Sequence, residues 1–327
     1  MTRVESLAIG ILGYNEAYGI VYLLDSLRAQ TLLSRDCPIE ISVISNGSQD
    51  NMAAVAKAQL ADFHSDCHQI KTQVVELPTA DKCAAWNYFV HQLAKPADCY
   101  ILLDADVVLC DGESLARLVK LLEQLPDCRI AGGQVINAKQ EVVNRDWVDG
   151  KCYALRGEIA RNLHIPAGIV LDDAYLASTV LTNWYEISSE TGLSRGYMRL
   201  VDQPSVRCGN TPRDRKISYW IAARKRTITA EYTQRHVDFC MRSLFGGGEA
   251  AKAILMKLAT TNPDWFTQYL AQVSDQDWPR FDPPSLQLSP RQLIQVLAYC
   301  YSYLLSVVGI RNREFGHLAW KLKHRYW

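Results

Sequence analysis

The feature that most constrains this chain is a recurrence: an apolar run of strand length stops at a polar cluster, and a segment with helical spacing follows. Residues 6–14 (SLAIGILGY) stop at Asn15-Glu16, and 20–30 (IVYLLDSLRAQ) then carry apolar residues three and four apart. Residues 41–45 (ISVIS) break at Asn46-Gly47-Ser48, and 52–63 (MAAVAKAQLADF) have the composition of a helix. A third run, 72–77 (TQVVEL), passes through Pro78 into a helix over 82–94, and the fourth run is 100–109 (YILLDADVVL). Alternating strands and helices of these lengths need crossover connections, which are right-handed. They predict an α/β fold with a mainly parallel, Rossmann-like sheet flanked by helices. In open sheets of that kind ligands bind beyond the carboxyl ends of the strands, where loops converge and helix N-termini point. Each polar cluster lies at such an end.

The fourth run carries two carboxylates, Asp104 and Asp106, around the small Ala105. In an extended strand the i, i+2 spacing turns both side chains to one side. Like charges that close repel unless a cation lies between them. Mg²⁺ or Mn²⁺ supplies that charge through hard oxygen ligands, and such ions also hold substrate phosphates. Two solvated aspartates in a turn are the plainer alternative. The apolar residues that lead into the pair and follow it, through Val107-Val108-Leu109, favour the cation.

Composition narrows the partners. Lys plus Arg and Asp plus Glu number 35 each, so no general basic surface marks a nucleic-acid binder, and no nucleic-acid partner is expected. The 10 cysteines are scattered without a CxxC pair, which argues for reduced thiols rather than a zinc site. The first residues, MTRVESLAIGILGYNEA, hold one short apolar patch and no small-residue cleavage site. A chain that starts inside the fold and stays in the cytoplasm is expected.

The ordered set GYNEA, SNGSQDN, DKCAAWN and LLDAD, followed by GKCYALRGE at 150–158, LDDAYLAS at 171–178 and ARKR at 223–226, resembles the family 2 glycosyltransferases with the GT-A fold. The resemblance covers about the first two thirds of the chain. It implies an inverting, metal-dependent transfer of a sugar from a nucleotide diphosphate donor to a hydroxyl of a glycan, a lipid or a small molecule. Tyr14, Asn15 and Glu16 match the loop that touches base and ribose, and Lys82 matches a lysine that approaches the diphosphate. Asn46 belongs to the loop the family usually writes with aspartates before Gly-Ser. Ser45 stands there instead of an acid, so a UDP-linked sugar is the expected donor but the base is left open. Asp104 and Asp106 match the metal-binding pair, with Mn²⁺ or Mg²⁺ as the implied cofactor. Asp172 and Asp173 match the acidic pair of the catalytic base. Asp173 is assigned as the base and Asp172 as its structural or acceptor-binding neighbour. A helix N-cap is the structural alternative for either. Arg156 matches an arginine that helps shape the donor pocket. Arg224 and Arg226 match arginines that add charge near the leaving group, although Ala223 replaces the usual glutamine and no tryptophan follows. That departure favours transfer of a single sugar over processive synthesis.

The two halves of the chain differ. Residues 1–240 are expected to form the nucleotide-sugar-binding and catalytic domain, and 241–327 a helical extension. Gly246-Gly247-Gly248 lacks the Lys-Ser/Thr of a phosphate loop and reads as a hinge or helix cap, and 281–292 (FDPPSLQLSPRQ) as a linker. The lone His236 is assigned a surface or core role. Residues 293–310 (LIQVLAYCYSYLLSVVGI) carry Gln295, Ser302 and Ser306 near one helical face, and basic and aromatic residues close the chain. A packed helix, a peripheral membrane contact through 293–327 and a true span all remain open. Two alternatives to the enzyme stand beside it: a catalytically inactive nucleotide-sugar-binding protein, and a nucleotidyltransferase on a related sheet. The latter calls for a Gly-rich basic loop after the first strand, which GYNEA is not.

Overall fold

The computed structural model describes residues 3–61, 63, 70–144, 146–208, 217–273, 277–283, 290–313 and 315. The alternation read from the sequence is present: β1 (Leu7–Gly13), α1 (Gly19–Arg28), β2 (Ile39–Asn46), α2 (Met52–Ala61), β3 (Ile70–Leu77), α3 (Lys82–Tyr88) and β4 (Cys99–Asp104). A short β5 (Val107–Leu109) and α4 (Ser114–Gln124) follow, then β6 (Ile130–Ile136), β7 (Cys152–Arg156), α5 (Gly157–Arg161), α6 (Asp172–Leu181), α7 (Ser189–Ser194) and β8 (Met198–Cys208). Helices complete the described residues: α8 (Ile217–Phe239), α9 (Gly248–Thr261), α10 (Trp265–Val273) and α11 (Pro290–Arg311).

The eight strands form one sheet in the order β3-β2-β1-β4-β7-β6-β8-β5. The pairs among β3, β2, β1 and β4 are parallel, as is β6 with β8, whereas β7 runs against both β4 and β6, and β5 against β8. The sheet is therefore parallel where the strand–helix alternation is strict and mixed beyond it. Every residue of β1 is buried because helices cover both faces, which is why a parallel strand reads as an unbroken apolar run. Period-two alternation divides it: Leu7, Ile9 and Ile11 pack with Ile20, Leu23 and Leu27 of α1, and Ala8 and Leu12 face Trp86, Phe89 and Tyr175. Each such fully buried aliphatic or aromatic side chain contributes about 1.5–3 kcal/mol.

One expectation is revised here. The fourth apolar run is not one strand: β4 ends at Asp104, Ala105 and Asp106 turn, and β5 pairs with β8 at the far edge of the sheet. Beyond residue 240, Leu255, Phe266 and Ile310 join the same buried cluster as Ala8 and Trp86. The triple glycine does cap a helix. Gly246, Gly247 and Gly248 have φ of 81°, 69° and 56°, and Gly247 is the N-cap residue of α9. His236 is a core residue, 2.9 Å from Asp277 Oδ2 and packed against the rings of Tyr232 and Tyr269. Residues 281–283 of the expected linker have no regular structure, while 284–289 and the closing WKLKHRYW lie outside the described residues.

Candidate active site

A cleft opens at the carboxyl ends of β1 and β4, bounded on the far side by the start of α6. Its floor is set by short connections that the sequence enforces. Asn15 adopts φ 54°, its backbone N–H donates to Ser48 Oγ at 3.0 Å, and its Oδ1 accepts from Gln49 N at 2.7 Å. Asp50 accepts from Ala17 N at 2.9 Å and from Met52 N at 3.1 Å. The loops after β1 and β2 are thereby fastened to each other. Gly47 has φ 66°, and a Cβ there would lie 2.3 Å from Ala80 N, so no other residue fits without moving the backbone. Asn46 Oδ1 accepts from Asp81 N at 2.9 Å, and Asp81 caps α3 by accepting from Ala84 N at 3.0 Å. This chain of bonds delivers Lys82, the first residue of α3, into the cleft.

Lys82 joins the two acidic motifs. Its Nζ lies 2.8 Å from Asp104 Oδ1 and 3.2 Å from Asp172 Oδ2. Burial alone would lower its pKa, but Asp104, Asp172 and Asp173 together overcome that and hold the ammonium well above its ordinary range. Burial pushes Asp172 up to about 6, with Lys82 opposing the rise and Asp173 and Asp104 adding to it. Asp172 is almost fully buried, and its Oδ2 receives Lys82 as an ion pair without a well-aligned hydrogen bond. Asp173 is half-buried and lines the cleft; its Oδ2 accepts from Gly150 N at 3.0 Å and its Oδ1 from Ala174 N at 2.8 Å. Neither aspartate is an N-cap: Leu171 holds that position, and both acids sit in the first turn of α6, where the helix dipole favours negative charge.

Of the residues singled out in the sequence, Tyr14, Glu16, Asn46, Lys82, Asp104, Asp106, Asp172, Asp173 and Arg226 line this cleft. Four do not. Asn15 serves the loop junction just described. Ser45 is buried within β2, in register with Gly13 and Glu76. Arg156 is paired with Cys99 at the opposite end of β4, and its guanidinium donates to the carbonyls of Leu122, Leu125 and Cys128 at the end of α4. Arg224 turns toward α11 and lies 4.9 Å above the ring of Tyr299.

The sequence reading quoted Gly150 and Lys151 within GKCYALRGE but gave a role there only to Arg156, and it left out Asp149. Lys151 Nζ is 3.0 Å from Asp149 Oδ1, and Asp104 N donates to Lys151 O at 3.2 Å. Burial would lower the Lys151 pKa, but Asp149, Asp104 and Asp106 raise it. A Cβ on Gly150 would lie 3.0 Å from Lys82 Nζ and 3.4 Å from Asp173, so this glycine lets both motifs close on each other. The available signal was a lysine at the mouth of the buried strand β7, two residues after an acid and next to a glycine.

Asp104 and Asp106 fit a divalent cation of the Mg²⁺ or Mn²⁺ type. Among the described residues no group of three or more His, Cys, Asp or Glu is placed to hold a metal. One or two carboxylates completed by substrate phosphates is the arrangement hard cations of this size accept.

Residues 9–173 match the family model described as glycosyl transferase family 2. No curated protein matches the sequence. Among solved structures, a mannosyltransferase from Pyrobaculum calidifontis in complex with GDP-Man and Mn²⁺ superposes with a TM-score of 0.55 at 18% identity, over 95% of this chain and 88% of that one. A glucosyl-3-phosphoglycerate synthase from Mycobacterium tuberculosis in complex with Mg²⁺ and UDP gives 0.48 at 15%, over 69% of this chain and 78% of that one. S. aureus TarS gives 0.45 at 12%, over 94% and 55%.

Proposed function

The chain belongs to glycosyl transferase family 2, and from that premise we propose that it is an inverting, metal-dependent enzyme that moves a sugar from a nucleotide diphosphate donor to a hydroxyl acceptor. The acceptor class proposed is a glycan, a lipid or a small molecule, and the setting is the cytoplasm, which nine free described cysteines support. A UDP-linked donor is the first to test and a GDP-linked donor the second, because Ser45, sunk in β2, leaves the base undetermined.

The observation that carries the reading is the division between the two adjacent acids. Inversion needs one carboxylate on the face opposite the departing nucleotide, to take the proton from the attacking hydroxyl. Asp173 fits: it faces the cleft, and two backbone N–H groups fix its plane. Asp172 holds Lys82, and Lys82 holds Asp104, so one buried ion network spans the end of β4 and the start of α6. That network sets the separation between the donor side and the base. Asp104 and Asp106 would hold Mg²⁺ or Mn²⁺, which when bound supplies positive charge against the leaving diphosphate. Arg226 and Lys151 add cationic character along the same wall.

The test is a thermal-shift panel of UDP-, GDP- and other nucleotide sugars with Mn²⁺ and with a chelator. A donor at a hundredfold excess over its Kd stabilises the native state by about 2.7 kcal/mol. The expected result is a rise in Tm for one nucleotide class that the chelator removes; no rise with any nucleotide sugar overturns the proposal.

A further inference from the structure

The last described helix leaves a large apolar face uncovered. In α11 the side chains of Ile294, Leu297, Tyr301, Leu304 and Val308 are 54%, 61%, 50%, 60% and 53% exposed, at alternating spacings of three and four. That spacing aligns them along one side of a helix. Partly exposed Leu305 and Val307 widen the face beyond a narrow seam. Exposed Trp278 and Phe281 lie in the segment before the helix, and Phe281 packs against Tyr299 and Tyr303. An apolar surface this continuous marks an interaction site.

The opposite side of the helix is tied to the enzyme. Val296, Tyr299, Ser302, Ser306 and Ile310 are buried. Ser306 Oγ donates to Lys225 O of α8 at 3.2 Å, Tyr303 Oη donates to Pro279 O at 3.2 Å, and Tyr299 Oη accepts from Asp282 N at 3.0 Å. Among the described residues α11 holds the one stretch long and apolar enough to cross a membrane, Ile294–Arg311, but its buried side is bonded to α8 and to the segment 279–282. A helix with one bonded face and one bare apolar face suits a surface that it lies on.

We propose that this face docks on an anionic lipid bilayer, with α11 lying in the interfacial plane. Charge selects the occupant. Residues 290–313 contain Arg291, Arg311 and Arg313 and no acidic residue, in a chain whose overall charge is zero. Exposed Arg311 and Arg313 at the end of the helix are side chains that settle at headgroup level. A second copy of the chain fits less well, since Ala298, Cys300, Leu305 and Val307, which flank the stripe, carry no charge to pair across a helix seam. The docked helix packs on α8 at Lys225, next to the cleft-lining Arg226. It would therefore hold the cleft beside the membrane surface.

The test is sedimentation of the full chain with vesicles of phosphatidylcholine plus phosphatidylglycerol, against phosphatidylcholine alone. The expected result is pelleting that is stronger with phosphatidylglycerol and weakened by salt. The variant Leu297→Glu/Leu304→Glu should bind about a hundredfold more weakly or worse. Both positions face solvent, so the variant should keep the wild-type Tm and nucleotide-induced shift. A surface variant away from the face, Lys57→Glu, should pellet as wild type does. Absence of wild-type pelleting overturns the proposal. So does a dimer in light scattering that Leu297→Glu/Leu304→Glu converts to monomer, which would assign the face to a second copy. The thermal shift with nucleotide sugar, read on the same sample, separates failure here from failure of the cleft reading.

Discussion

Two neighbouring aspartates have different environments because one residue of helix turns a side chain by about 100°. Both reach the cleft, but Asp172 is almost fully buried against Lys82, whereas Asp173 is half-buried and open to it. The consequence is sharpest at Lys82, whose ammonium sits between Asp104 and Asp172. Lys82→Met leaves two carboxylates close together with no cation between them, and removal of one partner from a buried ion pair costs about 3–5 kcal/mol. Denaturant unfolding should show a loss of that size, and adding Asp172→Asn should recover part of it. No recovery would mean that the pair is not coupled as drawn. The motifs that carry these residues were legible because loop glycines and acids at strand ends are local features. Lys151 was not, since its place in the cleft depends on β7 running antiparallel beside β4, a pairing between residues some fifty positions apart.

At the scale of elements, Arg156 shows how a motif can identify a residue and mislead about its role. Antiparallel pairing of β7 with β4 carries Arg156 to the end of the sheet away from the cleft, where its guanidinium donates to the carbonyls of Leu122, Leu125 and Cys128 at and after the end of α4. Arg156→Ala should therefore cost about 1.5–3 kcal/mol of stability. Its KM for the donor should stay unchanged; a raised KM with unaltered stability would restore the donor-pocket assignment. Strand direction was what the sequence did not disclose, because parallel and antiparallel buried strands carry similar apolar patterns. The helices were more legible, though α3 passes into a π-helical turn at Phe89–Leu93 that periodicity does not register. That turn carries His91, which stacks on His164 at 5.8 Å and donates from Nε2 to Leu163 O at 2.8 Å. Burial, then the neighbouring His91, pushes His164 down to about 4, and burial lowers His91 as well. The unfolded imidazoles titrate near 6.5, so between about pH 6.5 and 4 the unfolded chain binds more protons and stability falls as the pH is lowered. Fully developed, the loss from His164 is on the order of 3 kcal/mol. His164→Phe should flatten the dependence of Tm on pH across that window, and an unchanged slope would show that the pair does not govern it.

At the scale of the molecule, the sheet and the helices after residue 240 share one buried cluster. Tyr232, Met241, Leu255 and Phe266 share a buried cluster with Trp86 and Tyr175, so removing residues 241–327 strips one face of the core. A chain ending at 240 should lose its cooperative melt in circular dichroism; a cooperative melt with nucleotide binding retained would establish an independent catalytic unit. The fold class was readable from alternation alone, but shared burial is a property of tertiary packing, and composition could not reveal it. The cleft joins these scales, since loops from three strands and the first turn of α6 converge on Asp173, the proposed base. The most direct test of that convergence is the rate at which nucleoside diphosphate is released from the matching nucleotide sugar, with Mn²⁺ and acceptor, by wild type and by Asp173→Asn. A base of this kind contributes about 10²–10⁴-fold, so the variant should fall by that factor while still showing the nucleotide-induced rise in Tm. Equal rates in the two proteins would contradict the account.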